Sequence, residues 1–309
     1  MSLPAGYAIR PVDPATDLPV VSALHLACDL ADVGERDHQD DWIVEAWGAT
    51  VATRAWVVEH EGRVVAYLEL ESYDPASAFD AYLPVHPEER GGALRPALLG
   101  FAEGQARSFA AAPDVAFRVS GSLTDPTFAT DCEAAGLDHV RTFWHMERAL
   151  DPSAEPGPLP AGVTIRPSVD PDDDLAVYEV LDEAFRGHFG IAPMTFDAWI
   201  EVFKDRMYDP GLVLIAEVDG TPAGVAANWM PDGLGWVGDL GVLEAFRGRG
   251  IGAALLRHSF AVLAARGATH VRLNVDAGNE SGATRLYTSV GMTERRRFLV
   301  YEKRLRAAG

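Results

Sequence analysis

The segment RGRGIGAALL, residues 247–256, sets three glycines at alternate positions and continues at once into an apolar run with helical spacing. Backbone amides at the start of a helix lack partners and carry partial positive charge, so they bind phosphate where side chains leave them accessible. Two arginines beside the glycines would add charge-assisted hydrogen bonds to the same anion. The segment therefore predicts a pyrophosphate site at the start of a helix. The residues concerned are Arg247, Gly248, Arg249, Gly250, Ile251, Gly252 and Ala253.

The chain contains one unit written twice. The segment DCEAAGLDHVRTFWHMERAL, residues 131–150, aligns without gaps with LYTSVGMTERRRFLVYEKRL, residues 286–305, and other matches fall at nearly the same offset, which indicates duplication. Between the copies lies DPSAEPGPLPAG, residues 151–162, whose four prolines are typical of an extended linker. We therefore predict an N-terminal domain over 1–150 and a C-terminal domain over 163–309.

The second copy has strand and helix patterns in the order β-α-α-β-β-β-loop-α-β-α-β, which predicts an α+β domain with a mixed sheet. Thr195 is placed to cap the second helix, and Asp219 with Gly220 to form the tight turn of a β-hairpin. Gly267 is placed to end the helix that follows the glycine loop.

The glycine loop by itself is also compatible with a dinucleotide-binding domain. GRGIGA, residues 248–253, satisfies the G-x-G-x-x-A fingerprint of such domains. That fingerprint normally opens a βαβ unit directly after its first strand, whereas this loop follows two helices and four strands of its repeat. The order of elements therefore disfavours a dehydrogenase that binds NAD. A surface turn before a helix is a second alternative.

Composition excludes several classes of function. The chain has 309 residues, 48% of them hydrophobic, and no apolar run near the roughly 20 residues that a membrane span needs. Its formal net charge of −20 argues against a nucleic-acid partner, because such binding needs a basic face. Cys28 and Cys132 are too few and too far apart for a zinc site. We expect free thiols, no metal and a cytoplasmic protein.

The order of elements and the glycine loop together resemble the GNAT superfamily of acyltransferases. LGVLEAFRGRGIGAALL, residues 240–256, is similar to the acetyl-coenzyme A loop of that family, which reads Arg/Gln-x-x-Gly-x-Gly/Ala after a strand that ends in valine. A second landmark, an Asn before a helix that ends in Leu-Tyr and then Gly, matches Asn279, Tyr287 and Gly291. The resemblance is strong over residues 162–305 and weak over the first copy. It implies two tandem GNAT-type domains, each a mixed, mostly antiparallel sheet flanked by helices.

The resemblance implies direct transfer of an acetyl group from acetyl-CoA to the amine of a small molecule, without an acyl-enzyme. Tyr287 would protonate the leaving thiolate. Asp239 is the candidate base, with a structural role or proton transfer through water as alternatives. Residues expected to bind the cofactor are those of the glycine loop, 247–253, together with Leu240, Gly241, Val242 and Asn279.

The acceptor is not named by the cofactor motif, because acceptor pockets are built from variable loops. We expect the acceptor to meet the loop Gly187–Thr195, where His188 is a candidate contact. Among tandem members the architecture resembles that of the mycothiol synthases, which carry a glutamate base on the strand before the loop, where Trp236 stands here. Mycothiol synthesis is therefore one alternative, and a sensor that binds acyl-CoA without turnover is another. We expect a monomer or a homodimer.

The first copy departs from the cofactor pattern. Arg90 and Gly91 match the start of the loop, but three later positions do not: Ala93, Arg95 and Pro96 stand where the second copy has Gly250, Gly252 and Ala253. Side chains now crowd the loop, and Pro96 removes an amide. Cys132 stands in place of Tyr287, and we expect it to be buried. We therefore predict that the first copy binds no coenzyme A and serves as a scaffold.

Overall fold

A computed structural model describes residues 3–48, 54–153, 155–191, 193–204, 208–278 and 282–306. The helices are α1 Leu18–Asp32, α2 Asp40–Gly48, α3 Leu94–Phe109, α4 Phe128–Ala134, α5 Asp174–Phe185, α6 Phe196–Phe203, α7 Ile251–Ala265 and α8 Ala283–Ser289. The strands are β1 Tyr7–Pro11, β2 Arg54–His60, β3 Arg63–Glu71, β4 Ala78–Tyr82, β5 Asp114–Ser122, β6 Asp138–Ala149, β7 Val163–Pro167, β8 Val213–Val218, β9 Thr221–Trp229, β10 Gly235–Val242, β11 His270–Asp276 and β12 Thr293–Arg306.

The chain divides into two compact units. Unit 1 comprises residues 1–144, 276–278 and 296–309, and unit 2 comprises residues 145–275 and 279–295. In the described ranges, no helix combines the length and the apolar character that spanning a membrane requires.

The sheet of unit 1 has the strand order β1-β2-β3-β4-β5-β12 and is antiparallel except for the pair β4–β5. Helices α1 and α2 pack on one face, around Val21, Ile43 and Tyr67. Helices α3 and α4 pack on the other face, over a larger core that includes Leu98 and Cys132. Both faces bury apolar side chains, so unit 1 has a core of its own.

Unit 2 has the strand order β7-β8-β9-β10-β11, antiparallel except for the pair β10–β11. Helices α5 and α6 pack on one face of this sheet, and α7 packs on the other. The element order predicted from the sequence is confirmed. Thr195 Oγ1 accepts a hydrogen bond from the amide of Ala198 at the start of α6. Asp219 and Gly220 turn between β8 and β9 with φ of 51° and 79°.

The last strand of the sequence belongs to unit 1 from Arg296 onward. Strand β12 pairs with β5 from Phe298 opposite Ser122 to Arg306 opposite Asp114. In the same way, residues 145–149 at the end of β6 belong to unit 2. This division differs from the predicted one, which placed the domain boundaries at residues 150 and 163. The periodicity of a strand indicates which of its faces is buried, but it does not indicate which strand it pairs with.

Candidate active site

The sheet of unit 2 opens between β10 and β11. These parallel strands pair only at Gly235 with Val271 and at Trp236 with Arg272. Strand β10 nevertheless continues to Val242 and β11 to Asp276. The edge of β10 beyond Trp236 therefore has no partner in β11.

A β-bulge lies where the strands separate. Val237 is opposite Asn228 and Asp239 is opposite Ala227, so Gly238 is the extra residue of β10. A Cβ atom on Gly238 would lie 1.3 Å from Cζ3 of Trp229, which means that only glycine leaves room for the indole. The bulge directs Asp239 to the face covered by α5 and α6, since its partner Ala227 packs there.

Two backbone amides of β10 face the opening. The amide of Leu243 donates to the carbonyl of Ala223 in β9. Because successive peptide groups of a strand point to opposite edges, the amides of Leu240 and Val242 point away from β9. The N–H and C=O groups of one strand residue point to the same edge, and the carbonyl of Val242 likewise points away from β9. It accepts a hydrogen bond from Nε of Arg247 at 3.1 Å. These amides are suited to bind a carbonyl oxygen placed between the strands.

The glycine loop leads from β10 into α7. Gly248 and Gly250 have φ of 75° and 80°, in the left-handed region that favours glycine, and Gly250 precedes the first residue of α7. The six consecutive amides of residues 248–253 have no hydrogen-bond partner in the described part of the chain. Arg249 is exposed beside them. This row of amides with left-handed glycines fits a diphosphate group.

Gly252 allows α7 and α8 to approach closely. A Cβ atom there would lie 3.1 Å from Cδ2 of Leu286 and 3.8 Å from Cγ2 of Val242. Leu286 directly precedes Tyr287, so this contact fixes the distance between the loop and the tyrosine. Ile251 is buried in the core of unit 2, and Ala253 lies on the first turn of α7.

Tyr287 and Asp239 lie within electrostatic range of each other. Tyr287 is buried, with 8% of its surface exposed. Its burial, together with the nearby charge of Asp239, raises its pKa to about 12. Burial also raises the pKa of Asp239 to about 6. At neutral pH the phenol of Tyr287 is therefore protonated. The carboxylate of half-buried Asp239 is largely ionised and able to accept a proton.

The linker borders the glycine loop. Pro160 lies beside Gly250, where a Cβ atom would be 3.6 Å from its Cγ. Nε of Arg257 in α7 donates to the carbonyl of Pro156 at 2.9 Å. Asn279, which the sequence assigned to the cofactor, lies outside the described residues.

The corresponding strands of unit 1 stay paired over a longer stretch. Strands β4 and β5 remain paired along the whole of β4, from Ala78–Ala116 to Tyr82–Ser120. At the offset of 157 residues, Tyr82 corresponds to Asp239, so the ladder of unit 1 extends three residues beyond the last pair of β10 and β11.

Arg95 fills the position of Gly252 in unit 1. It is 3% exposed, and its guanidinium contacts Asp125, Asp131 and Thr127. Cys132, in place of Tyr287, is fully buried, and burial raises the pKa of its thiol to about 12. A buried, protonated thiol is not an active nucleophile.

The sequence analysis did not predict the β-bulge at Gly238 or the indole of Trp229 that packs against it. A glycine inside the strand pattern GWVGDLGV, residues 235–242, is the signal that could have indicated a bulge at Gly238. Nothing in the local sequence connects that glycine with Trp229, which comes from the preceding strand. Of the expected acceptor loop, His188 is half-buried and its ring packs edge-on against Phe185.

Comparisons with known proteins agree with this geometry. The model of the Acetyltransferase (GNAT) family matches residues 175–292. The mycothiol acetyltransferase of Kineococcus radiotolerans is 31% identical over 94% of this chain and 94% of its own length. Among solved structures, a GCN5-related N-acetyltransferase from Sphaerobacter thermophilus has a TM-score of 0.87 at 31% identity, over 100% of this chain and 98% of that one.

A second solved structure shares the fold over both copies. It is a tandem GNAT protein from the clavulanic acid biosynthesis pathway, with a TM-score of 0.72 at 18% identity, covering 98% of this chain and 100% of that one. The duplicated sequence, the glycine loop before α7 and these similarities lead to one conclusion: the chain belongs to the GNAT family of acetyltransferases.

Proposed function

We propose that unit 2 transfers an acetyl group from acetyl-CoA directly to the amine of a small molecule. The single observation that carries this proposal is the opening between β10 and β11, since β10 carries Asp239 beside it and leads into the glycine loop, and Asp239 is electrostatically coupled to Tyr287. GNAT acetyltransferases use acetyl-CoA, and unit 2 offers donors suited to the diphosphate and to the thioester carbonyl of that molecule. The reaction needs no metal, and we expect a cytoplasmic monomer or homodimer.

The residues of unit 2 fit this cosubstrate. Amides 248–253 would bind the diphosphate, with Arg247 and Arg249 beside it, and the amides of Leu240 and Val242 would donate to the thioester carbonyl. When bound, acetyl-CoA supplies an activated acetyl group. Gly241 allows the strand to pass close under α5, where a Cβ atom would be 2.8 Å from that of Ala184.

Asp239 would act as the base. An amine must lose a proton as it attacks a carbonyl carbon, and a carboxylate with a pKa of about 6 is largely ionised at neutral pH. Its half-buried position leaves it accessible to the acceptor or to an intervening water.

Tyr287 would act as the acid, and Asp239 would control it. The negative charge of Asp239 contributes to the raised pKa of Tyr287. When Asp239 accepts the proton of the amine, that contribution disappears, and the phenol becomes a stronger acid as the thiolate leaves. The two proton transfers are therefore coupled through the electrostatics of one pair.

Unit 1 would serve as a scaffold without a coenzyme site. The longer ladder between β4 and β5 narrows the place that a thioester would need, and the buried guanidinium of Arg95 lies at the start of α3, where the second copy has Gly252. We expect one coenzyme A per chain in a calorimetric titration. A stoichiometry of two would contradict the scaffold role.

A second candidate acceptor comes from the relatives. The mycothiol acetyltransferase of Kineococcus radiotolerans covers nearly the whole chain, which favours the mycothiol precursor cysteinyl-glucosaminyl-inositol as acceptor. Trp236 on β10 stands where the mycothiol synthases carry a glutamate base, which disfavours it.

The test is thiol release from acetyl-CoA by the full chain with a panel of amines, together with Tyr287→Phe. We expect the variant to lose roughly 10²- to 10³-fold in kcat while its Kd for coenzyme A stays unchanged, because the phenol acts only on the leaving group. Tyr301→Phe, which removes a hydroxyl from unit 1, is the matched control. A sensor would bind acetyl-CoA but release no thiol from it with any amine of the panel. That result would exclude the proposed activity.

A further inference from the structure

Two tryptophans flank the candidate base. Trp229 of β9 and Trp236 of β10 are directly opposite each other in the antiparallel ladder, so their indoles share the face that carries Asp239. Trp229 lies against the backbone of Gly238, the residue before Asp239. It is half-buried, which leaves part of its indole accessible. The carboxylate of Asp239 thus emerges beside aromatic surface.

The aromatic surface continues outward over α5 and α6. Ring centroids are separated by 6.4 Å from Trp229 to Phe203, 4.2 Å from Phe203 to Trp199, 5.5 Å from Trp199 to Tyr178 and 5.5 Å from Tyr178 to Phe196. Only Phe203 in this row is buried, and the others are half-buried. We name this row, from Trp229 to Phe196, the aromatic wall.

The aromatic wall borders the loop that we expect to meet the acceptor. The hydroxyl of Tyr178 donates to the carbonyl of Met194 in that loop at 2.7 Å, so its hydrogen is already used. Beside Phe203, Lys204 lies over the ring of Tyr208 and is ion-paired with Asp174. Apart from the indole N–H groups of Trp229 and Trp199, the side chains of the wall are therefore apolar or already hydrogen-bonded, and they suit a ring better than a hydroxyl-rich molecule.

We propose that the acceptor is a primary amine that carries an aromatic ring, bound with its nitrogen at Asp239 and its ring against the aromatic wall. This inference rests on the proposed function, because it assigns the acceptor class of the same site. The ammonium form of such an amine is attracted both to the carboxylate and to the face of an indole, and it releases one proton to solvent before the neutral nitrogen attacks and gives its second proton to Asp239. A ring next to the amine buries apolar area on the wall, whereas hydroxyl groups there would lose water without gaining partners.

The experiment compares phenethylamine with ethanolamine, which presents a hydroxyl in place of the ring. Binding of each amine to the full chain is measured by calorimetry at saturating coenzyme A, independently of turnover. We expect phenethylamine to bind at least about tenfold more tightly, since a buried phenyl ring contributes more than about 1.4 kcal/mol. Equal affinities, or tighter binding of ethanolamine, would overturn the inference.

Two variants test whether the aromatic wall causes the tighter binding of phenethylamine. Trp229→Leu and Trp199→Leu should each reduce the preference for phenethylamine by several-fold, and Trp42→Leu in α2 of unit 1 is the matched control. Trp199 is half-buried on α6, away from the bulge at Gly238, so its variant keeps the inference testable if Trp229→Leu fails to fold. An unchanged preference in folded Trp199→Leu and Trp229→Leu would show that the ring binds elsewhere.

The experiments distinguish a failure of the proposed acetyltransferase activity from a failure of the proposed acceptor class. Selective binding of phenethylamine without thiol release from acetyl-CoA would refute the proposed activity and support the acceptor class. Rapid acetylation of cysteinyl-glucosaminyl-inositol with no acetylation of phenethylamine would support the activity and refute the aromatic acceptor.

Discussion

Replacing Asp239 with Asn should make the protein more stable and nearly inactive. Burial raises the pKa of this carboxyl group from 3.8 to about 6. Each pKa unit corresponds to about 1.4 kcal/mol, so the ionised carboxylate costs about 3 kcal/mol of folding free energy at neutral pH. The neutral amide of Asn avoids this cost. At the same time kcat should fall by about 10²- to 10⁴-fold, because the base is lost.

The stability difference should depend on pH in a defined window. Between pH 3.8 and about 6 the folded state binds more protons at Asp239 than the unfolded state does, so the stability of the original protein falls as pH rises through this window. Below it both states are protonated and the difference between Asp239 and Asn vanishes. Above pH 6 the full difference of about 3 kcal/mol in favour of Asn should be present.

The assay is urea unfolding of both proteins at pH 4, 5, 6 and 7.5, with kcat measured over the same range. The original enzyme should gain activity as pH rises through about 6, where the base ionises. The reasoning is refuted if the Asp239→Asn variant has no higher free energy of unfolding than the original protein at pH 7.5. It is also refuted if the difference between the two free energies is the same at every pH.

Two further changes test the glycine loop and its replacement in unit 1. Gly250→Ala should raise the KM for acetyl-CoA about 5- to 30-fold with little effect on kcat, because an alanine at φ of 80° costs roughly 1–2 kcal/mol. Gly104→Ala, at an open position in helix α3, is its control and should leave steady-state kinetics unchanged. Arg95→Met should lower the free energy of unfolding by up to about 3–5 kcal/mol, because it removes the buried cation shared by Asp125 and Asp131 and leaves Asp125 with Arg90 alone, while the KM for acetyl-CoA stays unchanged. Arg63→Met, at an exposed ion pair with Glu88, should cost less than about 1 kcal/mol in the same urea titration, and equal effects of the two arginine variants would contradict the assignment.

Local backbone chemistry made much of the fold predictable from the sequence. Gly250 adopts the left-handed conformation that a helix start of this kind requires, and only glycine adopts it readily. Thr195 and the Asp219–Gly220 turn likewise act through hydrogen bonds and φ angles of neighbouring residues. Such features are encoded within a few residues, so a single sequence reveals them.

Features that depend on distant segments were not predictable. The bulge at Gly238 becomes meaningful only when the indole of Trp229 comes from another strand to lie against it. The end of the pairing between β10 and β11 after Trp236 is a property of two strands, and neither sequence alone encodes it. The partner of β12 is non-local in the same way, since β5 lies more than 170 residues earlier in the chain.

The placement of β12 has a consequence for biosynthesis. Because residues 296–306 supply the neighbour of β5, a ribosome must release the chain through β12 before the sheet of unit 1 can close. During this interval β5 presents an unpaired edge along nine residues, a surface prone to pairing with other nascent chains. A first copy severed at the linker would lack this neighbour, so we expect it to keep an exposed strand edge that the intact chain covers.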